Sequence, residues 1–161
     1  MSGIEAYYDR KTLSPCDLLG ILQKETQLVG IVNNYPLRRQ AVPYETIDLY
    51  AGNKRRLRAY IKDANLNIVN LAGSLCVLSL RHQKGGPIVF QKHTNVPEEG
   101  MIGSADQGEF FFFIDHTDTA NLDIAQYVFD VTVTLAGREG PWTDGPYTTV
   151  EGVVNLLQAV Y

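Results

Sequence analysis

Alternation of apolar and polar residues with a period of two is the feature of this sequence that most constrains its fold. In "RRLRAYIK" the alternation places Leu57, Ala59 and Ile61 on one face and basic or aromatic residues on the other. Successive side chains of a β-strand point to opposite faces, so this pattern is typical of a half-buried strand. Similar runs follow in "SLCVLSLRH", "PIVFQKHT", "GEFFFFID", "YVFDVTVTL" and "YTTVEGVVNLLQAV". Turn residues separate them, which predicts an all-β fold with two antiparallel sheets packed as a sandwich over residues 46–161.

A turn and a crossing are expected between two of these strands, within "IKDANLNIVNLAGSLCVLSLRH". Asp63 and Asn65 favour a reversal, because their side chains bond to nearby backbone and Asn tolerates a positive φ. A turn of helix is expected later, within "HTDTANLDIAQ", which is rich in cap and turn residues.

Residues 1–45 have a different pattern and form a separate N-terminal arm in this interpretation. Ser14 and Pro15 are typical of a helix start, and Leu18 and Leu22 belong to the apolar face of the short helix that would follow. A strand-like apolar run follows at residues 28–32. Since the arm is too short to build its own core, we expect it to lie on the sandwich or on another chain.

Composition restricts the classes of function. The chain has 161 residues, 45% of them hydrophobic, which suits one globular domain with an appendage. Its net charge of −4 offers no general attraction to nucleic acid or to an anionic membrane, and no apolar run is long enough to cross a bilayer. Cys16 and Cys76 stand far apart without metal-ligand spacing, so both are expected to be free thiols.

Residues that could perform chemistry are isolated from one another. His82, His93 and His116 show no metal-binding spacing, and no serine lies in a nucleophile-elbow motif. Asp115, Asp118 and Asp123 near His116 could be imagined as a cation loop, but they are more typical of caps on a connecting turn. We therefore expect no catalytic residue, no metal and no cofactor.

Interfaces are better supported by the sequence. If Phe110 and Phe112 face the core, Phe111 and Phe113 face outward, where the arm, the loop around Trp142 or a partner chain would have to cover them. Basic residues are concentrated in two places, at Arg38 and Arg39 and at Lys54, Arg55, Arg56 and Arg58. Their side chains are either solvated or paired with acidic patches on a neighbouring subunit. The candidate interface residues are Leu18, Leu22, Arg38, Arg39, Arg55, Arg56, Leu75, Val77, Phe111 and Phe113.

Several motifs occur in an order that resembles a known family. The crossing at residues 69–73 ("VNLAG"), the strand "GEFFFFID", the tyrosine strand at residues 127–131 ("YVFDV") and the final Glu151-Gly152 strand are similar to the Ig-like domain of tailed-bacteriophage tail and baseplate proteins, including the N-terminal domain of siphophage upper baseplate proteins. The turn glycine of that family is replaced by Asn65 or Leu66, and its Pro-Gly before the tyrosine strand by Ile124 and Ala125. We expect those two turns to differ in backbone conformation.

The resemblance implies a non-enzymatic structural protein of a virion, assembled in the host cytoplasm and present in several copies of a symmetric particle. Its partners would be other virion structural proteins, without nucleic acid or membrane. A tail or baseplate location is expected, and a capsid decoration or head-fibre protein is the alternative. A receptor- or carbohydrate-binding module is a third possibility, in which Trp142, Asp144 and Tyr147 of the last loop would contact a sugar.

Overall fold

The computed structural model describes residues 25–32, 42–136 and 146–158. Within these ranges the chain forms nine strands, one 3-10 turn at residues 105–107 and one short helix. The strands are β1 (Glu25–Val32), β2 (Tyr44–Tyr50), β3 (Arg55–Asp63), β4 (Leu75–Arg81), β5 (Ile88–His93), β6 (Gly100–Ile102), β7 (Glu109–Ile114), β8 (Gln126–Thr134) and β9 (Tyr147–Leu157), and the helix is α1 (His116–Thr119).

Two sheets enclose the core. A four-stranded sheet has the order β1-β3-β7-β6, and a five-stranded sheet has the order β2-β9-β8-β4-β5. The predicted inward residues are buried: Leu57, Ala59 and Ile61 of β3 are at most 2% exposed, and Phe110 and Phe112 of β7 are fully buried. They pack in one cluster with inward residues of β4, β8 and β9. The prediction of an all-β fold with two sheets is confirmed.

The prediction that both sheets are antiparallel is wrong for two pairs of strands. β1 pairs with β3 in parallel, and β2 pairs with β9 in parallel. Between β1 and β3 the chain passes through the other sheet, because β2 lies there. No hairpin therefore forces β1 and β3 to run in opposite directions, and a crossover connection permits parallel pairing.

Part of the predicted arm belongs to the sandwich. β1 lies inside residues 1–45, yet Leu28 and Val32 are at most 2% exposed and pack in the common core. At Gly30 the strand passes so close to its neighbours that an added Cβ would lie 2.9 Å from Cδ1 of Ile61 and from Cβ of Thr149. The predicted helix of the arm lies outside the described residues, as do Leu18, Leu22, Arg38 and Arg39.

The reversal and the crossing after β3 are confirmed. The Asn65 and Asn67 N–H groups donate to Oδ1 of Asp63 at 2.8 and 2.9 Å, and Leu66 adopts a positive φ of 67°. The chain then crosses to β4 in the five-stranded sheet, with Leu71 fully buried on the way.

β2 is held closely against the last strand. Gly152 of β9 lies opposite Glu45 of β2, and a Cβ added at Gly152 would overlap the Glu45 carbonyl oxygen. Only glycine leaves room for the two backbones at this point. The glycine of the Glu151-Gly152 motif therefore has a direct packing reason.

Candidate interaction surface

The outer face of the four-stranded sheet carries three of the predicted interface residues, Arg56, Phe111 and Phe113, whereas Arg55 has the inward position in β3, opposite Ile114. Cross-strand pairing aligns Arg58 of β3 with Gln27 of β1 and with Phe111 of β7. One row further along, Tyr60 stands opposite Glu109. Alternate residues of three strands thus form one surface of cations, carboxylates and aromatic rings.

Phe111 is covered by side chains of the same sheet. The guanidinium carbons of Arg56 and Arg58 lie 5.0 and 5.2 Å from the centre of its ring, and only 9% of the residue is exposed. Cations over an aromatic face are attracted by its negative potential, and the alkyl parts of arginine shield apolar surface. The expected covers were the arm, the Trp142 loop or a partner chain; the two arginines that cover Phe111 were not identified from the sequence.

Both of these arginines are paired with carboxylates. Nη2 of Arg56 lies 2.5 Å from Oε2 of Glu25, and Arg58 contacts the same carboxylate at 3.4 Å. On the other side, Arg58 Nε lies 3.7 Å from Oε2 of Glu109. Glu25 begins β1, so the predicted arm supplies a counter-charge for Arg56 and Arg58.

Glu109 is held in its ionised form by its surroundings. The Ser104 N–H donates to its Oε1 at 3.1 Å, and the Tyr60 hydroxyl donates to its Oε2 at 3.1 Å. The backbone hydrogen bond from Ser104 is the largest cause that lowers the pKa of Glu109, and the bond from Tyr60 and the charge of Arg58 lower it further. Neither Tyr60 nor Glu109 was identified from the sequence, although strict alternation along β3 and β7 would have placed both outward.

At one end of this face lies an open groove of about 770 Å³, which we call the basic groove. Phe113 lines it and is half-buried, with its backbone opposite Arg56. Its lining also includes Lys54, Arg55, Arg56, Asp115 and His116.

Arg55 is a half-buried cation in the lining of the groove. Its Nη1 donates to the Thr26 hydroxyl at 2.5 Å, and among the described residues it makes no ion pair. Burial lowers the pKa of Arg55, while the more distant charges of Asp48 and Tyr50 oppose that effect. Desolvation disfavours a charge that lacks a close counter-ion.

The short helix α1 forms the wall of the groove. Asp115 is its N-cap, with a capping box to Asp118, as the cap interpretation of these acids predicted. The His116 N–H donates to Asp115 Oδ1 at 2.8 Å and lowers the pKa of Asp115. Asp118 also pairs with Lys92 at 2.6 Å. No group of three potential metal ligands is present in the part of the chain that the structure describes.

Leu75 and Val77 lie on the other sheet. Both are half-buried on β4, and Val77 stands between His93 of β5 and Thr132 of β8. The predicted interface residues therefore fall on two separate surfaces. Trp142 and Asp144 lie outside the described residues, whereas Tyr147 is half-buried and packs against the core.

The side chains of His82, His93 and Cys76 contact other residues of the domain or are buried in it. Nδ1 of His93 lies 2.8 Å from Oε1 of Glu99, and the His82 ring stacks on Tyr127 with centroids 4.9 Å apart. Burial raises the pKa of Cys76 to about 12, which leaves its thiol protonated and unreactive at neutral pH. No helix within the described ranges is long and apolar enough to span a membrane.

Fold and surface together define an all-β domain of two packed sheets, with a charged and aromatic outer face. No protein-family model matches the chain, and no curated protein matches its sequence. Among solved structures, the fold is similar to the N-terminal domain of phage TP901-1 ORF48. The likeness covers 84% of this chain and 100% of that domain, with a TM-score of 0.50 and 11% sequence identity. At this identity the similarity concerns the fold, which is one that a phage protein uses.

Proposed function

We propose that this chain is a non-enzymatic structural protein of a tailed-bacteriophage virion, most specifically a tail or baseplate component with an Ig-like sandwich. The observation that carries the proposal is that the whole of a phage protein domain is matched in fold by this chain. The ordered motifs "VNLAG", "GEFFFFID", "YVFDV" and "VEG" support it independently. Several copies would occupy a symmetric particle and contact other virion proteins.

The surface of the four-stranded sheet supports an assembly role. Met101 and Val29, at opposite edges of this sheet, are 47% and 38% exposed, and the half-buried Phe113 is on β7, one of the two central strands. Apolar residues interspersed with arginines are characteristic of protein interfaces. Among the described residues, neither the capsid-decoration alternative nor the sugar-binding alternative has a comparable observation in its favour, and capsid decoration is one outcome of the test.

Immunogold electron microscopy tests the proposal directly. Antiserum against the purified chain is applied to particles from cells that produce the phage encoding it, and tails and heads are also separated for mass spectrometry. We expect gold at the tail tip and peptides in the tail fraction. Gold on heads alone would assign the chain to capsid decoration, and its absence from particles would refute a virion role.

A truncated variant tests the role of the arm within the particle. The variant should begin at Glu25, because β1 belongs to the sandwich and must be kept. We expect it to fold and to enter fewer tails than the full chain, since it lacks Leu18 and Leu22. If the variant enters tails as often as the full chain does, the docking contacts lie on the sandwich and not on residues 1–24.

A further inference from the structure

The basic groove holds two cations that the described part of the chain leaves without an ion pair. Arg55 is half-buried and has the Thr26 hydroxyl as its hydrogen-bond partner. Lys54 precedes it, is exposed, and makes no ion pair with any described residue. A guanidinium that is partly removed from water gains most from a carboxylate, which it can bind through two parallel hydrogen bonds.

The nearby carboxylates are already engaged elsewhere or stand on the rim. Glu25 pairs with Arg56 and Arg58, and Asp115 accepts hydrogen bonds from His116. The charge of Lys54 contributes to lowering the pKa of Asp115, but the two side chains form no ion pair. Glu98, on the rim, is exposed. Asp48 acts on Arg55 through its charge, but it forms no ion pair with it and accepts a hydrogen bond from Asn155 at 3.0 Å. Among the described residues, Arg55 therefore has no carboxylate in direct contact.

The groove also offers apolar contact. Phe113 is half-buried in its lining, and Ile114 follows it. An open groove of about 770 Å³ can admit a short extended segment with both carboxylate and apolar side chains. A compact inorganic anion would leave the aromatic part of the groove unused.

We propose that the basic groove binds an acidic peptide segment of a partner protein, with its carboxylates on Arg55 and Lys54 and an apolar side chain on Phe113. The existence of the site rests on the groove itself, and the identification of the partner as a virion subunit rests on the proposed function. Charge complementarity selects an acidic partner, although this chain is itself acidic as a whole, with a net charge of −4.

Fluorescence anisotropy on the full chain tests the site. The probe is a labelled synthetic peptide, Glu-Phe-Glu-Glu-Phe-Glu, and its counterpart with Gln in place of Glu is the ligand control. The variants are Arg55→Gln and Lys54→Gln, and Lys84→Gln is the matched protein control. Lys84→Gln removes the same charge at a position away from the groove, because the Lys84 side chain is 88% exposed on the β4–β5 hairpin of the other sheet.

We expect the acidic peptide to bind and the Gln peptide to fail. The dissociation constant should rise about tenfold for Arg55→Gln and about threefold for Lys54→Gln, and stay within about twofold for Lys84→Gln. Arg55→Lys keeps the charge but cannot form a bidentate pair with a carboxylate, so its dissociation constant is expected to lie between those of the parent and Arg55→Gln. Thermal unfolding by circular dichroism verifies that each variant is folded. If Arg55→Gln does not fold, the dissociation constants of Arg55→Lys and Lys54→Gln test the proposal in its place.

Three results would overturn the inference. Absence of binding to the folded chain is the first. An equal loss for Lys84→Gln would indicate general charge attraction, and binding of polygalacturonate without binding of the peptide would assign the groove to an anionic sugar. The result is independent of the particle experiment: a chain absent from virions whose groove binds the peptide through Arg55 refutes the proposed function and keeps the site.

Discussion

Leu66 is the single residue other than glycine with a positive φ among those that the structure describes. It occupies the turn after β3, where the resembled family has glycine, and its side chain is 59% exposed. The left-handed conformation costs a residue with a Cβ about 1–2 kcal/mol, part of which the hydrogen bonds to Asp63 offset. The exposed side chain contributes little packing in return.

Substitutions at Leu66 should separate backbone strain from side-chain packing. Leu66→Gly is expected to raise the free energy of unfolding by about 0.5 kcal/mol, because the relief of strain exceeds the entropy cost of glycine. Leu66→Val should lower it by about 1 kcal/mol, since a β-branched residue is poorly accommodated at positive φ. Urea unfolding measures both values. Equal stability of the Leu and Val proteins would show that the turn relaxes without cost.

Glu109 should make stability depend on pH in the acidic range. Its pKa in the folded protein lies below the usual 4.5, so its contribution is present above that value and is lost as the pH falls through the folded pKa. We expect Glu109→Gln to be less stable than the parent near pH 7 and nearly equal to it near about pH 2. Unfolding free energies across this range provide the measurement. Glu98→Gln, at an exposed glutamate, is the control for the loss of one surface carboxylate.

At the scale of the elements, β5 shows how an edge strand is protected. β5 lies at the edge of the five-stranded sheet, and Lys92 on it is buried, with Nζ 2.6 Å from Oδ2 of Asp118 in α1. A buried charge on an edge strand discourages pairing with a second chain. The ion pair also joins the strand to the helix that borders the basic groove.

The two partners of this ion pair should differ in their effect on stability. Asp118→Ala leaves a buried ammonium without its counter-ion and removes part of the helix cap, so we expect a loss of about 3 kcal/mol. Lys92→Met leaves Asp118 without its cation, but that carboxylate is more exposed and still accepts from the Asp115 N–H, so we expect a smaller loss of about 1–2 kcal/mol, with an edge more prone to aggregation. Chemical denaturation and light scattering provide the two measurements. Similar losses for both variants would contradict this account.

At the scale of the whole molecule, β1 completes the sandwich. Leu28, Ile31 and Val32 are each at most 6% exposed, and the strand lies beside β3 and contacts β9 across the core. Burial of a large aliphatic side chain contributes about 2 kcal/mol, so these three residues represent a large part of the stability of a domain this size.

Two truncations should therefore behave differently. A chain that begins at Glu25 keeps every buried residue of the described core and is expected to show a cooperative thermal transition close to that of the full chain. A chain that begins at Val42 lacks β1 and is expected to be unfolded or strongly destabilised at 25 °C, by about 5 kcal/mol or more. A stable sandwich without β1 would support the interpretation of residues 1–45 as an arm separate from the sandwich domain.

The sequence by itself determined most of the strands, the two-sheet core and the caps. β3 and β8 each bury alternate side chains, so the local sequence with its period of two predicts which residues are buried. The reversal at Asp63 and the helix cap at Asp115 are also local, because each side chain bonds to backbone a few residues away.

Only the tertiary structure decided the pairing of these elements and the surface that results. The direction of β1 beside β3, the short strand β6 and the cover on Phe111 depend on residues that are far apart in sequence. Arg58 reaches Phe111 and Glu109 because register places them in adjacent positions, and register follows from the packing of both sheets together. The basic groove arises in the same way, from three segments whose proximity no local pattern records.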